Sequence, residues 1–142
     1  MFSIETRKSN MSNIVNSVEK YMYDNIYPNN VLNGFFVLIF HWTIVGMSAI
    51  HIILGNIDTL FYISVLIWII IFGLHFYFNG CILTKIERHL WKANDWYGPW
   101  MLPFKMLERI NINLTPTIMN GIFICWGIFL TIFTILKFIY YI

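Results

Sequence analysis

Histidine and cysteine carry most of the chemistry this sequence could perform. His41 and His75 stand inside long apolar runs, and His51 sits near the end of the first run. Two imidazoles at similar depth on neighbouring helices could hold a haem b axially. They could also pass protons. The plainer alternative is a pair of neutral histidines hydrogen-bonded to Asn79, to Asn120 or to each other. Cys81 and Cys125 also lie in apolar runs, with no C-x2-C spacing. They read as small buried residues rather than a disulfide or a metal site. Cys81 and His75 are six positions apart, about 240° on a helix, and so cannot form a nucleophile–base pair. No H-E-x-x-H, G-x-S-x-G or paired intramembrane carboxylate occurs. Asp58 and Glu87 fall at the ends of apolar runs, where a helix cap and a headgroup-level salt bridge account for them. No catalytic residue, no metal site and no enzyme activity are expected.

The helices that carry these residues have polar stripes. At about 100° per residue, Asn33, His41, Ser48 and His51 share one arc of the first apolar helix. Ser64, Trp68, His75 and Asn79 share an arc of the second, and Asn120, Gly127, Thr131 and Thr134 an arc of the third. Polar groups in hydrocarbon must find partners, so the three arcs are expected to face one another. His41 and His75 each lie eight residues in from the same end of their spans, roughly 12 Å from one membrane face, and counted from the turn between the helices they are three residues out of step, about 4.5 Å.

These helices follow from the charge pattern. Asn33–Leu54 is free of acid and base and is about 33 Å long as a helix, enough to span a bilayer. Gly55 fits a helix C′ position and Asp58 an N-cap, making residues 55–58 a tight helical hairpin. Thr59–Leu83 is again uncharged and forms a second span. Its helix is expected to run on through Thr84–Lys92 along the interface and to stop near Asn94-Asp95. Trp96-Tyr97-Gly98-Pro99-Trp100 and Pro103 break any helix, and the aromatics suit the headgroup region. Lys105–Ile110 is a short amphipathic turn at most. Thr115 with Pro116 starts a third span, Pro116–Leu136, which ends at Lys137 and Tyr140-Tyr141. Residues 1–30 form a polar tail in which Ser12–Ile26 has the spacing of an amphipathic surface helix. Residues 1–10 read as dispensable.

Composition sets the class. The chain has 142 residues, 58% of them hydrophobic and only 11% charged. Sixteen charges cannot cover a soluble domain of this size, which excludes a soluble globular enzyme. A disordered chain would have the opposite composition. The fold class is therefore all-α: an integral membrane domain, 31–142, with three transmembrane helices at about 33–54, 59–83 and 116–136. Amphipathic segments at 12–26 and 84–110 lie at the interface. A net charge of +2 gives no reason to expect a nucleic-acid partner. The tail and the 84–115 loop hold eight of the nine basic residues, which places both on the cytoplasmic side and the C-terminus opposite. The sequons at Asn10 and Asn113 then face the side without glycosylation. Twenty-six Ile and 13 Asn against 2 Ala is the mark of an AT-rich genome, as in a protist, an organelle or a large DNA virus.

One local box remains. Asn79-Gly80-Cys81-Ile82-Leu83-Thr84-Lys85-Ile86-Glu87 has the form Cys-x-Leu-Thr-x-x-Glu at a span end. It resembles a box in uncharacterised small polytopic membrane proteins of bacteria and of large DNA viruses. The bacterial form commonly has Pro where Ile82 stands. The resemblance implies a polytopic membrane protein and no particular activity for Cys81, Leu83, Thr84 or Glu87. Thr84 is expected to bond back to the Gly80 carbonyl. Taken together, the sequence points to a non-enzymatic structural or accessory membrane protein, a component of a larger assembly or of a virus's internal membrane. Its partners would be the lipid bilayer and other membrane proteins or copies of itself. No cofactor is expected. The alternative is a haem-binding anchor subunit of a redox complex, using His41 and His75.

Overall fold

The structure, a computed structural model, describes residues 3–141, without the side chains of Pro116 and Tyr141. The initial Met1, the C-terminal Ile142 whose face the charge asymmetry assigns, and the ring of Pro116 read as a helix-starting signal lie outside the described residues. The described residues are helical with no strand. The helices are α1 (Ile4–Asn25), α2 (Asn30–Trp42), α3 (Ser48–Leu54), α4 (Thr59–Phe78), α5 (Ile82–Trp91), α6 (Met101–Arg109) and α7 (Pro116–Tyr141). A π-helical turn, Thr43–Met47, joins α2 to α3, so Asn30–Leu54 runs as one span. Together with Thr59–Phe78 and Thr117–Tyr140, this gives three helices long and apolar enough to cross a membrane. The chain is a multi-pass membrane protein.

Contacts divide the chain into two compact units. The first holds α1, α2 to His41, α4 from Gly73, α5 and the turn through Trp100. Ser3 caps α1 by accepting the Thr6 amide at 3.1 Å, so this helix starts well before Ser12. Met11, Val15 and Met22 of α1 pack against Ile86 and Leu90 of α5 and Val37 of α2. Tyr21 and Ile26, within the segment whose spacing reads as amphipathic, are more than half exposed. Trp91 lies over Gly34: a Cβ there would collide with the indole nitrogen, which donates to the Val31 carbonyl at 3.0 Å.

The second unit holds the π turn, α3, α4 to Phe72, α6 from Pro103 and α7. Its core is Ala49, Ile52, Phe61, Trp68, Phe123 and Leu130. Phe72 packs on Gly127, where any side chain would collide with its ring. Asp58 caps α4 by accepting the Phe61 amide at 2.9 Å and pairs with His51 at 3.0 Å. The hydrogen bond from His51 holds the Asp58 carboxyl below the usual carboxylate range. Gly55 is extended rather than left-handed, and its need is for space, because a Cβ would lie 2.6 Å from His51 Nδ1. Lys137 donates to the Gly55 carbonyl and lies 5.4 Å over the Phe61 ring.

Two local breaks set the site. Asn79 at φ 51° and Gly80 at φ 134° end α4, and the Gly80 amide reaches back to the His75 carbonyl at 2.9 Å. This six-to-one bond across a left-handed residue is a Schellman stop. Lys85 Nζ donates to the Phe78 carbonyl at 2.7 Å and satisfies another orphan acceptor. The second apolar helix therefore does not continue into the interface. It stops, and α5 begins anew with Cys81 at its N-cap position. The same stop recurs at Lys92 and Asn111, which end α5 and α6.

Candidate functional site

The break after Gly80 turns Cys81 toward α2, where His41 waits. His41 Nε2 lies 3.3 Å from Cys81 Sγ, and His41 Nδ1 lies 2.8 Å from Glu87 Oε1. Trp96 Nε1 donates to the other Glu87 oxygen. Glu87 is fully buried and His41 nearly so, while Cys81 is partly exposed. Cys81, in extended conformation at the N-cap, and Glu87, within α5, both reach the same imidazole.

Trp96 Nε1–H can only donate, so Glu87 accepts from it, and a carboxylate in this position also accepts the His41 Nδ1–H. His41 Nε2 then faces the thiol with its lone pair and can take the Cys81 proton. Burial alone would raise the Cys81 thiol. The hydrogen bond and charge of His41 outweigh it, with smaller help from the Thr84 amide and hydroxyl, and hold the thiol below its ordinary value. Carboxylate, imidazole and thiol in this order form the arrangement that activates a cysteine nucleophile: the acid orients the ring, and the ring takes the proton.

Gly98 closes the site. It has φ 59°, and a Cβ there would lie 2.5 Å from Thr84 Oγ1 and 3.2 Å from His41 Cε1. The segment Trp96–Trp100 is thus not only an interfacial aromatic belt. Its backbone packs on the relay, and Arg88 anchors it by donating to the Trp96 carbonyl and lying 5.4 Å over the Tyr97 ring.

The other sequence candidates fall elsewhere. Asn33 is buried in the first unit and donates to the Tyr27 carbonyl at 2.8 Å. His75 lies in the last turn of α4, with its ring edge-on to Phe76 at 6.1 Å. Asn79 forms the left-handed stop. Ser48 bonds back to the Ile44 and Val45 carbonyls, Thr131 to Gly127 at 2.8 Å and Thr134 to Leu130 at 2.9 Å. These hydroxyls satisfy themselves within their own helices rather than across helices. Ser64 is buried in the second unit, where Asn120 of α7 also lies. His51 joins Asp58 at the hairpin, Leu83 lies partly buried in α5, and Thr84 lies beneath Gly98.

His41, one of the two residues read as haem ligands, has Nδ1 on Glu87 and Nε2 beside Cys81, so an axial bond would use Nε2 in place of the thiol contact. Among the described residues, no three His, Cys, Asp or Glu side chains converge to hold a metal ion. Sequence reasoning weighs Cys81 only against His75 and misses His41. The signal was Asn79-Gly80, a turn dipeptide inside an uncharged run.

Fold and site together define a small, all-helical, multi-pass membrane protein with a buried cysteine–histidine–glutamate relay. No family model, no curated protein and no solved structure matches the chain.

Proposed function

We propose that the protein is a small accessory component of a larger membrane assembly, with α1 and the 79–115 segment on the cytoplasmic face. The observation that carries this reading is the surface of the spans. Only 28%, 17% and 17% of their most apolar windows are buried inside the chain. Large side chains such as Phe36, Ile39, Phe40, Leu66, Ile69 and Ile132 point outward. Lipid can cover that area, but so can a membrane protein partner or a second copy, since small and polar residues are not required on every face. Eight basic residues on one side support the orientation. Crosslinking in native membranes, followed by mass determination in mild detergent, tests the reading. A complex larger than one chain is expected, and a monomer that crosslinks to nothing would refute it.

The relay favours a second reading, in which the protein presents a nucleophilic thiol at that face. Its support is the Glu87–His41–Cys81 order of contacts. Alkylation of the purified protein by iodoacetamide, followed by peptide mass spectrometry, should modify Cys81 faster at pH 7 than an ordinary thiol reacts. Equal or slower reaction refutes the thiol reading.

A further inference from the structure

We propose that Cys81 accepts an acyl chain from a long-chain acyl thioester whose anionic head is held by Arg7, Lys8 and Lys85. This inference rests on the thiol reading and names its substrate class.

A cleft of about 370 Å³ opens in the first unit between the N-terminal turns of α1 and the end of α4. Its lining combines two chemistries. Arg7, Lys8 and Lys85 supply positive charge, while Ile4, Phe76 and Phe78 supply apolar wall. A ligand that satisfies both has an anionic head and a hydrocarbon chain. Arg presents a rigid fork suited to phosphate oxygens, and Lys adds point charge. Asn79 and Lys85, which bracket Cys81 in sequence, both line the cleft. Lys85 interacts electrostatically with Cys81, and burial lowers its own affinity for protons.

The N-terminus of α5 supplies the remaining element. The first bond of that helix is from the Lys85 amide to the Cys81 carbonyl, at 3.2 Å. The amides of Ile82, Leu83 and Thr84 therefore precede the helical ladder. Of these, the Thr84 amide bonds the Cys81 sulfur, and those of Ile82 and Leu83 are the donors assigned to the oxygen that gains negative charge when Cys81 attacks a carbonyl.

The step balances without an oxidant or reductant. The Cys81 S–H proton passes to His41 Nε2, and the thiolate attacks the thioester carbonyl carbon. The bond from that carbon to the departing sulfur breaks, and the departing thiolate takes the proton back from His41. The products are an acyl thioester on Cys81 and a free thiol. One thioester replaces another, so the exchange is close to even in free energy. Transfer from an oxygen ester of a phospholipid would have to make the more reactive bond from the less reactive one. The donor is therefore assigned as a thioester carrying phosphate, of the coenzyme A kind.

The test uses the full chain in nanodiscs of neutral phosphatidylcholine, with palmitoyl-coenzyme A as probe and intact mass as readout. One palmitoyl adduct is expected, removed by neutral hydroxylamine, retained in Cys125→Ser and absent in Cys81→Ser. His41→Gln should slow its formation roughly 100-fold, as expected for loss of a general base. Arg7→Gln with Lys8→Gln should raise the donor concentration needed by several-fold, while leaving iodoacetamide alkylation of Cys81 unchanged. Cys81 that alkylates fast but takes no acyl chain would overturn this inference and leave the thiol reading standing. Slow alkylation would overturn both. Equal acylation of Cys81 and Cys125, or an adduct formed in phosphatidylglycerol nanodiscs without added thioester, would overturn the assigned site or the assigned donor.

Discussion

His41 and Glu87, 46 positions apart in sequence, meet through a 2.8 Å contact between Nδ1 and Oε1 inside the first unit. Neither is near the surface. A buried carboxylate is tolerated only when its oxygens are satisfied. Glu87 meets that condition through His41 on one side and Trp96 on the other. The residue that reads in sequence as a headgroup-level anchor is the centre of the unit's polar network.

Removing the carboxylate leaves two buried donors without an acceptor. Glu87→Ala should therefore lower stability by about 3 kcal/mol, as for breaking one side of a buried pair. Thermal unfolding in detergent would show it. Glu87→Gln should cost less, because the amide oxygen can still accept from Trp96. Its N–H would then donate to His41 Nδ1 and force the proton onto Nε2. The fold should survive while Cys81 alkylation slows, since the wrong tautomer cannot take the thiol proton. If Glu87→Ala melts like the wild type, the network is not structural.

The pH profile of Cys81 has a definite direction. Its thiol is held below its ordinary value by the hydrogen bond and charge of His41. The groups facing it are His41 from α2 and, from α5, Thr84 and the cation of Lys85. A depressed folded value means that the thiolate contributes stability above the unfolded-state value, and that this is lost as pH falls through the folded value. Alkylation rate against pH should show its midpoint below that of free cysteine. His41→Gln should move the midpoint up, because burial then acts alone. A midpoint at or above the ordinary thiol value would refute proton transfer from Cys81 to His41.

The spans were legible because hydrocarbon imposes a simple rule: about 20 uncharged residues in a row. Asp58 as a cap and Thr115 before Pro116 were legible for the same local reason, since a cap acts within one turn. The relay was not. Cys81 and His41 are 40 positions apart, and periodicity carries no information about such a contact. At Thr43–Met47 the wider π turn shifts every later residue of the first span relative to a regular helix, which the sequence does not signal. The stop at Asn79-Gly80 had a signal, but the missing charges from Thr59 to Leu83 argued for one unbroken helix. Had the helix been ended there, Cys81 would have become a cap residue with Thr84 and Glu87 on the same side of the helix that follows.

Glycine substitutions separate two kinds of site. Gly98 has φ 59° and no room for a Cβ, with Thr84 Oγ1 only 2.5 Å away. Gly98→Ala should lose at least about 1–2 kcal/mol from the left-handed backbone alone, and it should also slow Cys81 alkylation by displacing His41. Gly121 lies in α7, where an added Cβ would meet nothing within 4 Å. Gly121→Ala should be neutral or stabilise by about 0.5–1 kcal/mol, as alanine does in helices. Melting temperatures and alkylation rates of the two variants give the comparison. Equal behaviour would mean that the Trp96–Trp100 turn does not pack on the relay.

Topology follows from three spans. If all three apolar helices cross, α1 and the 79–115 segment share one face and the end of α7 lies on the other. Lys20 on α1 and Tyr140 near the end of α7, itself highly exposed, are suitable reporters. In a background of Cys81→Ser and Cys125→Ser, Lys20→Cys and Tyr140→Cys should react with an impermeant maleimide from opposite sides of sealed vesicles. The excess of basic residues predicts that Lys20→Cys is the one labelled from the cytoplasmic side. Labelling of both positions from the same side would mean that one of the three apolar helices does not cross. The weakest candidate is then Asn30–Leu54, whose ladder is interrupted by the π turn and whose most apolar window is the most buried of the three.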